Sequence, residues 1–140
     1  MKWTVYAYPA GLSALLFLNA ARPVPGPDIG GFHGVDKLLH ILFFGLLAIT
    51  LVRTPGFAGK KGPIGAWLLT LLIGSADELL QMLSLYRTTD PLDLAADAFG
   101  AALAISLYRR WSTFRNLLET GLFPRRASAP SLHQPSPSRS

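Results

Sequence analysis

The chain has 140 residues, half of them hydrophobic and only 15% charged, and it contains no cysteine. That length holds one domain, and a soluble domain usually carries about 25% charged residues, so the deficit points to lipid. The missing cysteines exclude disulfides, thiolate metal centres and thiol nucleophiles. The net charge of +5 is no nucleic-acid signature, because its distribution along the chain has another cause.

Four apolar stretches are each long enough to cross a bilayer, which takes about 20 helical residues. They run from Trp3 to about Ala21, Asp36 to about Val52, Pro63 to about Leu85, and Pro91 to about Trp111. Short connections rich in Gly and Pro join them: Arg22 to Val35, Arg53 to Gly62, and Tyr86 to Asp90. Inside hydrocarbon these stretches must be helical, since no water is there to satisfy an open backbone. The first has a rival reading as a signal peptide, from Lys2, the apolar run and the small residues Ala20 and Ala21. The run is long for that and carries Pro9 and Gly11 in its middle, so a retained helix is preferred. Thr113 to Phe123 reads as an amphipathic helix on the membrane surface, with Phe114, Leu117, Leu118 and Leu122 toward lipid and Arg115 and Glu119 toward water. From Pro124 on, Pro, Ser and Arg dominate and no apolar period survives, so disorder is expected there. The expected architecture is therefore all-α: a polytopic four-transmembrane-helix bundle over residues 1–112, a juxtamembrane helix over 113–123 and a disordered cytoplasmic tail over 124–140.

The loops set the orientation. Lys2, Arg53, Lys60, Lys61, Arg109, Arg110, Arg115, Arg125, Arg126 and Arg139 fall on one side with a single acid, Glu119. The other side holds Arg22, Lys37 and Arg87 with Asp28, Asp36, Asp77, Glu78, Asp90, Asp93 and Asp97. Lys and Arg concentrate on the cytoplasmic side, which puts both termini there and accounts for the basic pI. The cations beside the fourth helix would also favour anionic inner-leaflet lipid.

Ionisable residues inside membrane spans are costly and are functional candidates by default. Here they fall at similar depth. At 1.5 Å per residue, His40 lies roughly 6 Å below the outer end of the second helix. Glu78 and Gln81 lie about 12 and 7 Å below that of the third, and Asp93 and Asp97 about 5 and 10 Å below that of the fourth. Asp36 and His40, Asp77 and Gln81, Glu78 and Gln81, and Asp93 and Asp97 are three or four apart, so each pair shares a helix face. Ala96, Gly100 and Ala104 form a small-residue ridge that lets backbones approach closely, so the polar faces are expected to turn inward. Plainer roles compete at the ends. Asp90 before Pro91 suits an N-cap, with Asp93 completing a capping box. Asp36 could cap the second helix, Lys37 could reach the headgroups, and Arg87 could answer the third helix's dipole. His40, Glu78 and Asp97 lie too deep for capping.

These residues resemble a known family. Asp36-Lys37-Leu38-Leu39-His40 is similar to the Asp-Lys-x-x-His signature of VanZ-like membrane proteins. Glu78-Leu79-Leu80-Gln81 with Arg87 downstream resembles that family's Glu-x-x-Gln and Arg. Asp93-Leu94-Ala95-Ala96-Asp97-Ala98-Phe99-Gly100 resembles its Asp-x-x-x-Asn-x-x-Gly. The likeness runs from Asp36 to about Leu107. The departure is Asp97, where the family usually has Asn; an extra acid there needs a partner, for which His40 and Arg87 are candidates, or a proton. The resemblance implies a bacterial plasma-membrane protein and an association with resistance to glycopeptide antibiotics, teicoplanin above all.

Three functions compete. The preferred one is non-catalytic: Asp36, Lys37, His40, Glu78, Gln81, Arg87, Asp93 and Asp97 bind a lipid-linked cell-wall component or a glycopeptide at the outer face. The second is an enzyme acting on a lipid headgroup or lipid-linked precursor, with His40 and Glu78 or Asp93 as acid and base. The third is a small ion-coupled transporter, for which four short helices without a repeat leave little room. No resident cofactor is expected. By ligand type a divalent metal on His40, Glu78, Asp93 and Asp97 is open, but no compact metal-binding spacing supports it.

Overall fold

The computed structural model describes residues 4–21, 33–83 and 90–121. Within them the secondary structure is helical throughout: α1 (Thr4–Ala20), α2 (His33–Val52), a 3-10 turn (Pro55–Phe57), α3 (Gly62–Met82), α4 (Pro91–Arg110) and α5 (Ser112–Gly121). Arg22, Arg87, Leu122 and the expected disordered tail lie outside the described residues.

Helices α2, α3 and α4 are each long and apolar enough to cross a membrane, whereas α1 is apolar but has only 17 residues. At 1.5 Å per residue the described part of α1 spans about 25 Å, against a hydrocarbon core of roughly 30 Å. The bundle's polarity is reversed relative to a soluble protein. Leu42, Leu68, Leu72, Leu79, Phe99 and Leu103 are exposed, while Asp77, Gln81, Asp93 and Asp97 are buried. That arrangement is favourable only where the surroundings are apolar, because exposed leucine then costs nothing and a buried carboxylate can still find its partners inside.

Helix α2 occupies the centre and packs against α1, α3 and α4. Its closest neighbour is α4, and the small residues set that approach. A Cβ on Gly100 would collide with the Ile41 carbonyl oxygen and lie 2.7 Å from the Ile41 Cα. One turn on, a Cβ on Gly45 would lie 3.1 Å from the Gly100 carbonyl oxygen and 3.2 Å from the Ala104 Cβ. With no hydrophobic drive between helices in lipid, such backbone contact is a main source of association. Phe44, Leu47, Ala48, Leu51, Ala66, Ala101 and Ile105 form the apolar core, and Leu12 and Leu16 of α1 pack on it. The buried hydroxyls of Thr50 and Thr70 donate to the Leu47 and Ala66 carbonyls, at 2.7 and 2.8 Å, so neither is left unsatisfied.

Helix α5 departs from the sequence reading. The backbone leaves helical geometry at Trp111 and folds α5 back onto the end of the bundle. Leu118 is buried against Ile49, with Phe114 beside it, and Glu119 accepts a 2.7 Å hydrogen bond from the Tyr108 hydroxyl. Of the apolar face assigned to lipid, only Leu117 among the described residues is strongly exposed; Phe114 and Leu118 face protein.

Candidate functional site

The amino-terminal end of α4 organises the site. Asp90 has extended backbone and accepts from the Leu92 N–H at 2.9 Å, with Pro91 at the first helical position. It is an N-cap, and it is more than that, because its second oxygen receives the Lys37 ammonium at 2.6 Å. That ammonium, helped by the Leu92 N–H, holds the Asp90 carboxyl below the ordinary carboxylate range. Lys37 also donates to Asp93 Oδ1 at 2.9 Å. Lys37 therefore ties α2 to the first turn of α4 instead of only reaching for headgroups, and Asp93 turns its carboxylate to Lys37 rather than back to the cap.

One turn deeper, His40 Nδ1 and Asp97 Oδ1 lie 2.8 Å apart, and His40 Nε2 faces Asp93 Oδ2 at 3.9 Å. The Asp97 side chain is 1% exposed, Asp93 5% and His40 14%, against 29% for Lys37 and 42% for Asp90, so the cluster is desolvated and its exposure rises toward Lys37 and Asp90. The imidazole is held from its face as well, stacked on Phe44 with ring centroids 5.8 Å apart. A carboxylate at Nδ1 orients the ring and directs Nε2 toward whatever binds opposite. Of the two partners open to Asp97, His40 is in place; Arg87 lies outside the described residues. The other oxygen, Asp97 Oδ2, is buried without a hydrogen-bond partner. It sits where α3 has Gly74, whose Cβ would be 2.7 Å away.

Helix α3 contributes Glu78. It is half-buried, its Oε1 has no hydrogen-bond partner, and Asp93, His40 and Asp97 are the leading charges acting on it. Gln81 goes elsewhere: its amide donates to Asp77 Oδ2 at 2.8 Å within the same helix. Asp77 is thus buried and bonded, and its charge reaches Asp97. Asp36 lies within the first turn of α2, which begins at His33, so it is not the cap of that helix. It takes part in a different grouping. Asp36, His40 and Asp93 each present one ligand atom, all within 4.8 Å of one another. Oxygen and imidazole donors at that spacing suit a divalent cation. This set differs from the one the sequence suggests, because Asp97 Oδ1 is taken by His40.

Two elements of the site carry no sequence signal. The Trp67 indole N–H donates to the Ala98 carbonyl at 3.0 Å, fixing α3 against α4 through a backbone acceptor. The Phe44 stack on His40 is likewise invisible in a helix where most residues are apolar. The Lys37–Asp90 tie follows from helix direction: α2 and α4 run the same way, so the lysine near the start of α2 meets the acidic start of α4.

A family model described as VanZ/LLP1 matches residues 3–115, which takes in every residue of this network. No curated protein and no solved structure matches the chain. Family membership and the span-length apolar helices together make this a membrane protein.

Proposed function

Because the chain belongs to the VanZ/LLP1 family, we propose that the α2–α3–α4 network is an extracytoplasmic binding site for a lipid-linked or other cell-envelope component, on a protein that crosses the bacterial plasma membrane four times. The positive-inside rule supports the orientation: Lys60 and Lys61 lie at the end of the bundle opposite the network, as do Arg109 and Arg110. Packing of Leu12 and Leu16 on the shared core supports retention of α1 as the fourth crossing.

One observation carries the reading. Side chains from separate helices, Lys37 and His40 on α2 and Asp90, Asp93 and Asp97 on α4, form one network at a single end of the bundle, and Glu78 of α3 faces it with an unsatisfied oxygen. Mere interhelical glue would have no reason to leave acceptors open. Among the described residues, Asp36, Glu78, Asp90, Asp93 and Asp97 outnumber Lys37 and His40, so this part of the site is rich in acceptors. It favours ammonium groups and hydroxyl donors, such as the amines and sugars of envelope precursors or of a glycopeptide, over a bare phosphate. Towards the opposite end the core is filled by Leu47, Ala48, Leu51, Ala66 and Ala101, which favours binding at one face over conduction.

The test separates folding from function. Glu78→Gln keeps the shape of a side chain that makes no structural bond through Oε1. In a host whose teicoplanin tolerance the chain raises, this variant is expected to keep normal membrane abundance and lose most of that tolerance. Unchanged tolerance at normal abundance would remove Glu78 and the proposed pocket from the function. A second reading is favoured by the His40–Asp97 pair, whose geometry is that of a carboxylate-oriented general base. Under it, the purified protein would turn over a lipid-linked precursor, and Asp97→Ala would abolish turnover while retaining binding.

A further inference from the structure

A second feature lies at the opposite end of the bundle and takes no part in the network. Between the start of α3 and the end of α4 runs a groove of about 480 Å³, walled by Pro63, Ile64, Trp67, Ala102 and Ile105 and ending at Arg109 and Arg110. Its wall is rigid on one side, since the Trp67 indole is pinned to the Ala98 carbonyl of α4. Both arginines are exposed, and neither forms an ion pair with a described residue. The amino terminus of α3 begins beside the same opening at Gly62 and Pro63, preceded by exposed Lys60 and Lys61. A helix amino terminus favours an anion, and a guanidinium binds phosphate with two parallel hydrogen bonds.

We propose that this groove is a binding site for one anionic phospholipid, its acyl chain lying along Trp67, Ala102 and Ile105 and its phosphate held by Arg109 and Arg110. The charge pattern selects the occupant. Any lipid tail fits an apolar cleft in a membrane protein, but exposed cations at the mouth, with no acid among the lining residues, select a headgroup of net negative charge. The lipid then clamps α3 to α4 at the end of the bundle where no ion pair among the described residues joins those two helices. That is the counterpart of the Lys37 tie between α2 and α4 at the other end.

Trp67 is a built-in reporter. The chain has three tryptophans, Trp3, Trp67 and Trp111, so Trp3→Phe with Trp111→Phe leaves Trp67 alone. This protein would be reconstituted in phosphatidylcholine vesicles containing a few per cent of either phosphatidylglycerol or phosphatidylcholine brominated in mid-chain. Brominated phosphatidylglycerol is expected to quench Trp67 several-fold more than brominated phosphatidylcholine at equal content. Arg109→Gln with Arg110→Gln is expected to erase that difference. Ala102→Phe, which fills the groove and leaves the arginines in place, is expected to reduce quenching by both lipids and serves if the arginine variant does not fold. Equal quenching by the two lipids would mean ordinary boundary lipid and overturn the proposal, as would a preference that survives in both variants.

Discussion

His40→Ala is expected to destabilise the bundle by about 3–5 kcal/mol, the usual result of leaving a buried carboxylate without its partner. The reason lies in what remains. Asp97 is fully buried, and one of its oxygens already lacks a hydrogen-bond partner; without His40 Nδ1 the other loses its 2.8 Å contact as well. The carboxyl would then be stranded or forced to take up a proton. Asp97→Asn removes the charge that needs compensation while keeping an acceptor within reach of His40, so on its own it is expected to stay within about 1 kcal/mol of the parent. The two together should recover most of what His40→Ala loses, because a neutral amide is far cheaper to bury than a carboxylate. Unfolding in detergent, run as a double-mutant cycle, reads the coupling directly. Additive losses would mean that the His40–Asp97 contact contributes nothing specific.

Gly100→Ala is expected to destabilise by about 1–3 kcal/mol despite placing a better helix former in a helix. The propensity gain of Ala over Gly is about 1 kcal/mol. Against it stands overpacking, typically about 1–3 kcal/mol and occasionally more, and here the upper end applies. The new methyl would meet the Ile41 carbonyl oxygen and Cα, which are backbone atoms that no rotamer change can move. Relief requires α2 and α4 to separate, and separation stretches the Lys37–Asp93 and His40–Asp97 contacts that bridge the same two helices. Gly34→Ala is the control, since nothing lies within 4 Å of a Cβ there; it should be neutral or slightly stabilising. Thermal unfolding of the two variants side by side checks the contrast, and equal behaviour would refute close backbone contact as the basis of the α2–α4 pairing.

Much of this arrangement was legible in the sequence, and the illegible parts share a cause. Composition and length gave the helices, because hydrocarbon permits little else. The i, i+4 spacing of Asp36 and His40 and of Asp93 and Asp97 correctly placed these residues on facing surfaces, and the small-residue ridge around Gly100 identified the close approach. Partner choice within a face was another matter. Gln81 is four residues from Asp77 and three from Glu78, and spacing alone does not say which it bonds; the structure gives it to Asp77. The apolar face of α5 is legible in its residue spacing, but what covers it is not, since lipid and a neighbouring helix are equally apolar. Trp67 bonds a backbone carbonyl, and backbone acceptors are the same at every position. Of the two roles open to Asp36, capping is ruled out because α2 extends three residues further back, to His33, than the apolar run requires.

An envelope-facing site requires the polar network to lie at the extracytoplasmic end of the bundle. The chain has no cysteine, so single cysteines can report on sidedness without background. Asp36→Cys, at the exposed margin of the network, and Lys60→Cys, exposed at the opposite end, would be treated with a membrane-impermeant maleimide in spheroplasts. Labelling of the first before lysis and of the second only after lysis is the predicted result. The reverse pattern would put the polar network on the cytoplasmic side and contradict an envelope-facing site.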